Sequence, residues 1–161
     1  MIPRFYDVQE GEVLVDGVNV KDYDRRTLRR KIGYVPQKAL LFKGTIMENI
    51  RFGDDSASDE RVKEAAAIAQ STDFIEDKPD GFDSSISQGG SNVSGGQRQR
   101  LAIARAIVRK PEIYVFDDSF SALDFKTDSA LRQALSKETG NATVVIVAQR
   151  VSTIMNADRI I

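Results

Sequence analysis

SNVSGGQRQRLAIARAIVRKPEIYVFDDSFSALD, residues 91–124, joins a glycine-rich turn, a helix, a buried strand and two carboxylates in one short run. Ser94-Gly95-Gly96-Gln97 reads as a capping box, with Ser at the N-cap and Gln three residues on. Leu101, Ala104, Ile107 and Val108 then recur at helical spacing, and Pro111 stops the helix. EIYVF (112–116) is a continuous apolar run, the pattern of a strand buried on both faces. Asp117 and Asp118 follow at its carboxyl end. A second helix is expected over 126–137, with Leu131, Ala134 and Leu135 facing inward and Gly140 beyond its end. TVVIVA (143–148) reads as the next buried strand, ended by Gln149. Strand, helix and strand in this order make a βαβ unit, so the fold class is α/β with a sheet that is at least partly parallel.

Working outward, EVLVDGVNV (12–20) has two short β runs around Asp16-Gly17, a hairpin signal. DRRTLRRKI (24–32) carries five basic residues and reads as a solvated helix face. IGYVPQ (32–37) is a short strand ended by Pro36. TIMENIRF (45–52) is a short amphipathic helix, and SDERVKEAAAIAQS (58–71) a helix capped by Ser58. DKPDGFDSSISQGGSN (77–92) is loop-like. No repeat, low-complexity tract or linker divides the chain. Its 161 residues suit one domain, and 41% hydrophobic with 29% charged residues is the composition of a globular protein.

Lys+Arg 23 against Asp+Glu 24 gives no bulk charge with which to capture nucleic acid. With no cysteine and no histidine, thiolate chemistry and the usual neutral-pH base are excluded. No apolar run approaches ~18 residues, so none spans a membrane.

In parallel sheets, ligands bind off the carboxyl ends of the strands. Gln37, Asp117, Asp118 and Gln149 all sit at such ends. Gly95 and Gly96 at a helix N-terminus leave free N–H groups that a phosphate could approach. An Asp after a buried strand can hold Mg²⁺. A neighbouring carboxylate can orient a water for attack on phosphorus, and a polar side chain on the next strand can sense the γ-phosphate. Each piece alone has a bland reading: a tight turn, a solvated carboxylate pair, an ordinary glutamine. Their order and spacing carry the information.

That order resembles the nucleotide-binding domain of ATP-binding cassette (ABC) transporters of the exporter type, across essentially the whole chain. YVPQ with Gln37 resembles the Q-loop, which in the family meets Mg²⁺ and the attacking water. LLFKGTIMENIRFG (40–53) is similar to the exporter segment beyond it. SQGGSN resembles the X-loop, which touches transmembrane coupling helices. NVSGGQRQRLAIARAI resembles the signature motif, with Val93 where Leu is commoner. IYVFDD resembles Walker B, SALD (121–124) the D-loop, and VAQRVSTI (147–154) the switch region.

The resemblance implies ATP and Mg²⁺ as ligands. It implies Asp117 and Gln37 at the metal, and Asp118, Gln149 and Gln37 in catalysis. Ser94, Gly95, Gly96, Gln97 and Asp124 would meet nucleotide. The implied partners are a second nucleotide-binding domain and transmembrane coupling helices, with no nucleic acid, at the cytoplasmic face of the plasma membrane. The segments would be 1–37 (β-rich start through the Q-loop), 38–110 (helical subdomain and signature helix) and 111–161 (Walker B, D-loop and switch).

Three departures matter. No GxxxxGK[ST] phosphate loop occurs in 1–161. IPRFYDVQEGEVLVDG resembles the stretch that follows that loop and its helix, and ADRII stops before the family's last strands. The chain is therefore expected to be a truncated piece, poorly soluble or molten alone and weak in ATP binding. Asp118 stands where the family usually has Glu, which draws its carboxylate back by about 1.5 Å. Gln149 stands where the family usually has His, and an amide cannot become a cation. Both changes predict a half-site that binds nucleotide better than it hydrolyses it, in a heterodimer whose competent site this chain completes through its signature.

Three alternatives stay open. A DNA-repair or chromosome-maintenance ATPase would carry long coiled coils, and no heptad tract is present. A non-catalytic interaction domain fits the missing phosphate loop; a transmembrane segment encoded in frame upstream would count against it. The wording of GSNVSGGQRQR and FKGTIMENI leans away from a soluble importer-type subunit.

Overall fold

The computed structural model describes residues 1–161, except the side chain of Ser152, which falls in the expected switch segment. The fold is mixed α/β, built on a three-stranded parallel sheet. In chain order it begins with a hairpin of β1 (Leu14–Val15) and β2 (Val18–Asn19). Asp16 at φ 51° and Gly17 at φ 75° make the two left-handed turn residues that the Asp-Gly pair predicts. Helix α1 (Arg25–Arg30) is capped by the Asp24 carboxylate and buries only Leu28, so its arginines form the solvated face expected. Strand β3 (Ile32–Val35) then enters the sheet.

A helical region follows. Strand β4 (Gly44–Thr45) leads into α2 (Ile46–Arg51), which has a capping box of Thr45 and Glu48. Helix α3 (Asp59–Ile68) is capped by Ser58 and ends earlier than the periodicity suggests. Gln70 turns left-handed at φ 55°, and a separate helix α4 (Thr72–Glu76) begins. The expected loop 77–92 is more ordered than its composition implies. It holds two 3₁₀ turns and strand β5 (Ser85–Ile86), which pairs antiparallel with β4. Only that distant partner makes a strand of it.

Helix α5 (Gly95–Val108) is the centre of the molecule. Leu101, Ile103, Ala104 and Ile107 are completely buried, and the helix packs against α2, α3 and β3. Lys110, left-handed at φ 49°, and Pro111 terminate it. Strand β6 (Ile113–Asp117) pairs parallel with β3 on one side and with β7 (Thr143–Val147) on the other. Helix α6 (Phe125–Glu138) crosses between β6 and β7, and α7 (Val151–Ile154) closes the order.

Side chains of the sheet alternate between two cores. Val35, Tyr114, Phe116 and Ile146 face the large cluster around α5. Ile32, Tyr34, Ile113, Val115 and Val145 face the smaller cluster with Val15, Val20 and Leu28. The expected burial of 143–148 is not met. β7 lies at the sheet edge, with Val144 and Val147 exposed, because nothing among the described residues pairs with its outer side. The accessible surface is 9661 Å². A compact monomer of this mass presents about 8,000 Å². No described helix is long and apolar enough to cross a membrane.

Candidate nucleotide site

Parallel register aligns the carboxyl ends of the three strands. Val35 is level with Phe116, Phe116 with Ile146, and Asp117 with Val147. The residues that follow these ends therefore emerge side by side. The Gln37 side-chain amide donates to Asp118 Oδ2 at 3.2 Å, and the Gln149 amide donates to the same oxygen at 2.9 Å. Three residues far apart in sequence thus meet at one carboxylate. Asp118 itself is left-handed at φ 45°, a conformation Asp tolerates better than most residues. Its backbone N–H donates to Val147 O at 2.9 Å, which pins the turn to β7.

Asp117 is half-buried and shares a strand face with Tyr34, whose hydroxyl donates to Asp117 Oδ2 at 3.0 Å. Burial, then the carboxylate beside it, raises the Tyr34 pKa, so the phenol keeps its proton. Buried Ser119 donates to Val35 O at 2.9 Å and ties the end of β6 to the end of β3. Buried Gln99, on α5, donates to Pro36 O at 3.1 Å and fixes the chain just before Gln37. Arg150 donates to Ser121 O at 3.1 Å, joining the segment after β7 to the turn after β6.

Tyr34, Gln99, Ser119 and Arg150 were not among the residues expected from sequence. Any strand over 32–35 puts Tyr34 and Val35 on opposite faces, but nothing local pairs Tyr34 with Asp117, and the other three carry no local signal.

Ser94 to Gln97 form a separate cluster at the start of α5. The capping box is present: Gln97 N–H donates to Ser94 Oγ at 3.1 Å, and Ser94 N–H to Gln97 Oε1 at 3.0 Å. Gly96 lies against the turn after β6, where a Cβ would come within 3.2 Å of Ala122 O. Gly95 has only a distant arginine tip near its missing side chain. Asp124 caps α6 with both oxygens, accepting from the Thr127 N–H at 3.0 Å and the Thr127 hydroxyl at 2.7 Å. The hydroxyl bond is the larger cause of its lowered pKa. No hydrogen bond among the described residues links Ser94 to Asp117 or Asp118.

The donor set fits Mg²⁺. Asp117 offers a carboxylate. Gln37 gives its amide N–H to Asp118, leaving its carbonyl oxygen available. One carboxylate with an amide oxygen suits an ion that draws its other ligands from water and phosphate. No group of three or more acidic side chains among the described residues forms a self-sufficient metal cage.

A protein-family model described as ABC transporter matches residues 1–121. An uncharacterized ABC transporter ATP-binding protein of Mycobacterium tuberculosis is 46% identical over 100% of this chain and 28% of its own length. A putative multidrug export ATP-binding/permease protein of Staphylococcus aureus is 45% identical, again over 100% of this chain and 28% of its own length. The structure of a bacterial Atm1-family ABC exporter with ATP bound matches at TM-score 0.94 and 39% identity, covering 98% of this chain and 28% of that one. The chain belongs to the ABC transporter family and corresponds to its ATP-binding domain. It spans just over a quarter of the length of the curated relatives it matches.

Proposed function

We propose that residues 1–161 are part of the ATP-binding unit of an ABC exporter, coupling ATP binding and hydrolysis to export across a membrane. The observation that carries this reading is the convergence of Gln37 and Gln149 on Asp118 Oδ2 at 3.2 and 2.9 Å. Asp117 and Gln37 would hold Mg²⁺, which when bound neutralises charge on the transferring phosphoryl group. Asp118 takes the role of general base for the attacking water, with its Oδ1 left open by the two amides. Gln149 is placed to sense the γ-phosphate as a neutral donor. Ser94 to Gln97, with the free N–H groups of a 14-residue helix behind them, would face the phosphates of a second ATP across a dimer. Asp124 shapes the turn that accompanies them. On this reading 1–37 and 111–161 form the sheet-based part and 38–110 the helical part that meets transmembrane coupling helices, at the cytoplasmic face of the membrane.

No phosphate-loop motif occurs in 1–161, so ATP affinity is expected to be weak without one. Calorimetry with ATP–Mg²⁺ tests this on the 161-residue chain and on the same domain preceded by a phosphate-loop segment. Binding by the longer form alone supports the reading. Micromolar binding by the 161-residue chain would mean that other residues hold the phosphates.

Asp in place of the usual Glu, and Gln in place of the usual His, support a heterodimer in which this chain's own site is slow. Its signature would complete the partner's competent site. Ser94→Ala in the full-length protein is then expected to lower ATP turnover by at least about tenfold, as removal of a phosphate-facing donor does. Asp118→Asn is expected to lower it far less. Equal losses from the two variants would sink the heterodimer reading.

A further inference from the structure

We propose that Tyr34 is a positioning residue for the metal carboxylate of this site, holding Asp117 in the rotamer that presents its second oxygen to Mg²⁺. The inference rests on the reading of Asp117 as the metal carboxylate.

The geometry comes from the sheet. Tyr34 is level with Val115 in the parallel pair of β3 and β6. Side chains two apart on a strand share a face, so Asp117 stands one step further along the same side as Tyr34. A phenol is long enough to span that diagonal, and its hydroxyl donates to Asp117 Oδ2 at 3.0 Å. Oδ1 has no such donor from Tyr34 and is the oxygen left for a cation. The ring is fixed in turn. Phe5 meets it edge-on with centroids 5.5 Å apart, and the Arg29 guanidinium covers Phe5 at 5.2 Å. The ring also packs on the small core of Val15, Val20, Leu28, Ile32 and Val115. A half-buried phenol pinned on two sides loses little further freedom by holding the carboxylate. Partners in this position typically matter by about 10–100-fold in metal affinity.

The test reads metal occupancy, not turnover. Mn²⁺ bound in the presence of ATP is counted by electron paramagnetic resonance in the full-length protein, as wild type, Asp117→Asn, Tyr34→Phe and Phe5→Leu. Phenylalanine keeps the ring and its contact with Phe5, so Tyr34→Phe removes only the hydroxyl. Asp117→Asn is expected to lose one class of bound Mn²⁺. Tyr34→Phe is expected to keep that class with affinity about tenfold weaker. Phe5→Leu, which loosens the ring but keeps the hydroxyl, should fall between wild type and Tyr34→Phe. Loss in Asp117→Asn with wild-type affinity in Tyr34→Phe overturns the role of Tyr34 alone. No loss in Asp117→Asn overturns Asp117 as the metal carboxylate, and the role of Tyr34 with it.

Discussion

Gly53→Ala is expected to be the most damaging small substitution in this chain, lowering stability by about 3 kcal/mol or more. Gly53 follows α2 where that helix crosses α5. A Cβ there would lie 2.0 Å from Arg105 O, 3.0 Å from Arg105 C and 2.8 Å from Val108 Cγ1. The obstacle is helix backbone, which cannot rotate away as a side chain can. The two helices would have to part by about 1 Å, in a region packed at crystal-like density.

The parting would also break a hub. Arg105 donates to Asn49 O at 2.8 Å, to Leu40 O at 2.9 Å and to Asn49 Oδ1 at 3.0 Å, and its guanidinium lies over Phe42 and Phe52. Burial lowers its pKa to about 10, so it stays charged at neutral pH and needs those partners. Gly17→Ala is the control. Gly17 is left-handed at φ 75° with open space around it, so alanine costs only the left-handed backbone penalty, about 1–2 kcal/mol. Denaturant midpoints of the two variants in the same background decide the matter. A Gly53→Ala midpoint no lower than that of Gly17→Ala would show that α2 and α5 are not locked together here.

The second large effect is a gain. Asp118→Glu combined with Gln149→His is expected to raise ATP hydrolysis at the proposed half-site by about 10–100-fold, at or below the low end of what a correctly placed general base contributes. Glu extends the carboxylate by about 1.5 Å from the turn after β6. The imidazole can carry a proton that the Gln149 amide cannot. In the present arrangement both amide donors hold Asp118 Oδ2. The double variant replaces one of these amides by an imidazole and advances the carboxylate. Glutamate accepts φ 45° less readily than aspartate, so stability should fall by up to about 1 kcal/mol. Single-turnover hydrolysis, read against nucleotide affinity, separates chemistry from binding. Unchanged turnover with unchanged affinity would mean that these two positions do not limit this half-site.

Much of this molecule is legible from local rules. The Ser94–Gln97 capping box, the Asp-Gly hairpin, the stop at Pro111 and the apolar run of β6 each depend on a few neighbouring residues. The structure has them where the sequence puts them, with ends shifted by one or two positions. The order of those pieces is enough to identify the family. Local rules fail where the deciding partner is distant. The 77–92 segment contains a strand only because β4 pairs with it. β7 has the composition of a fully buried strand, yet it is an edge, since composition does not say whether a neighbour is present.

The candidate site divides in the same way. Sequence alone determined that Gln37, Asp117, Asp118 and Gln149 sit at strand ends, and that Ser94 starts a helix. Only the tertiary structure decided that two amides share one oxygen of Asp118, that Tyr34 reaches Asp117, and that Gly53 lies against the α5 backbone. The Tyr34–Asp117 bond spans 83 residues and the Gln37–Asp118 bond 81. Contacts of that range are set by parallel register and helix packing. They follow from how whole elements bury their faces against one another, which no short window of sequence contains.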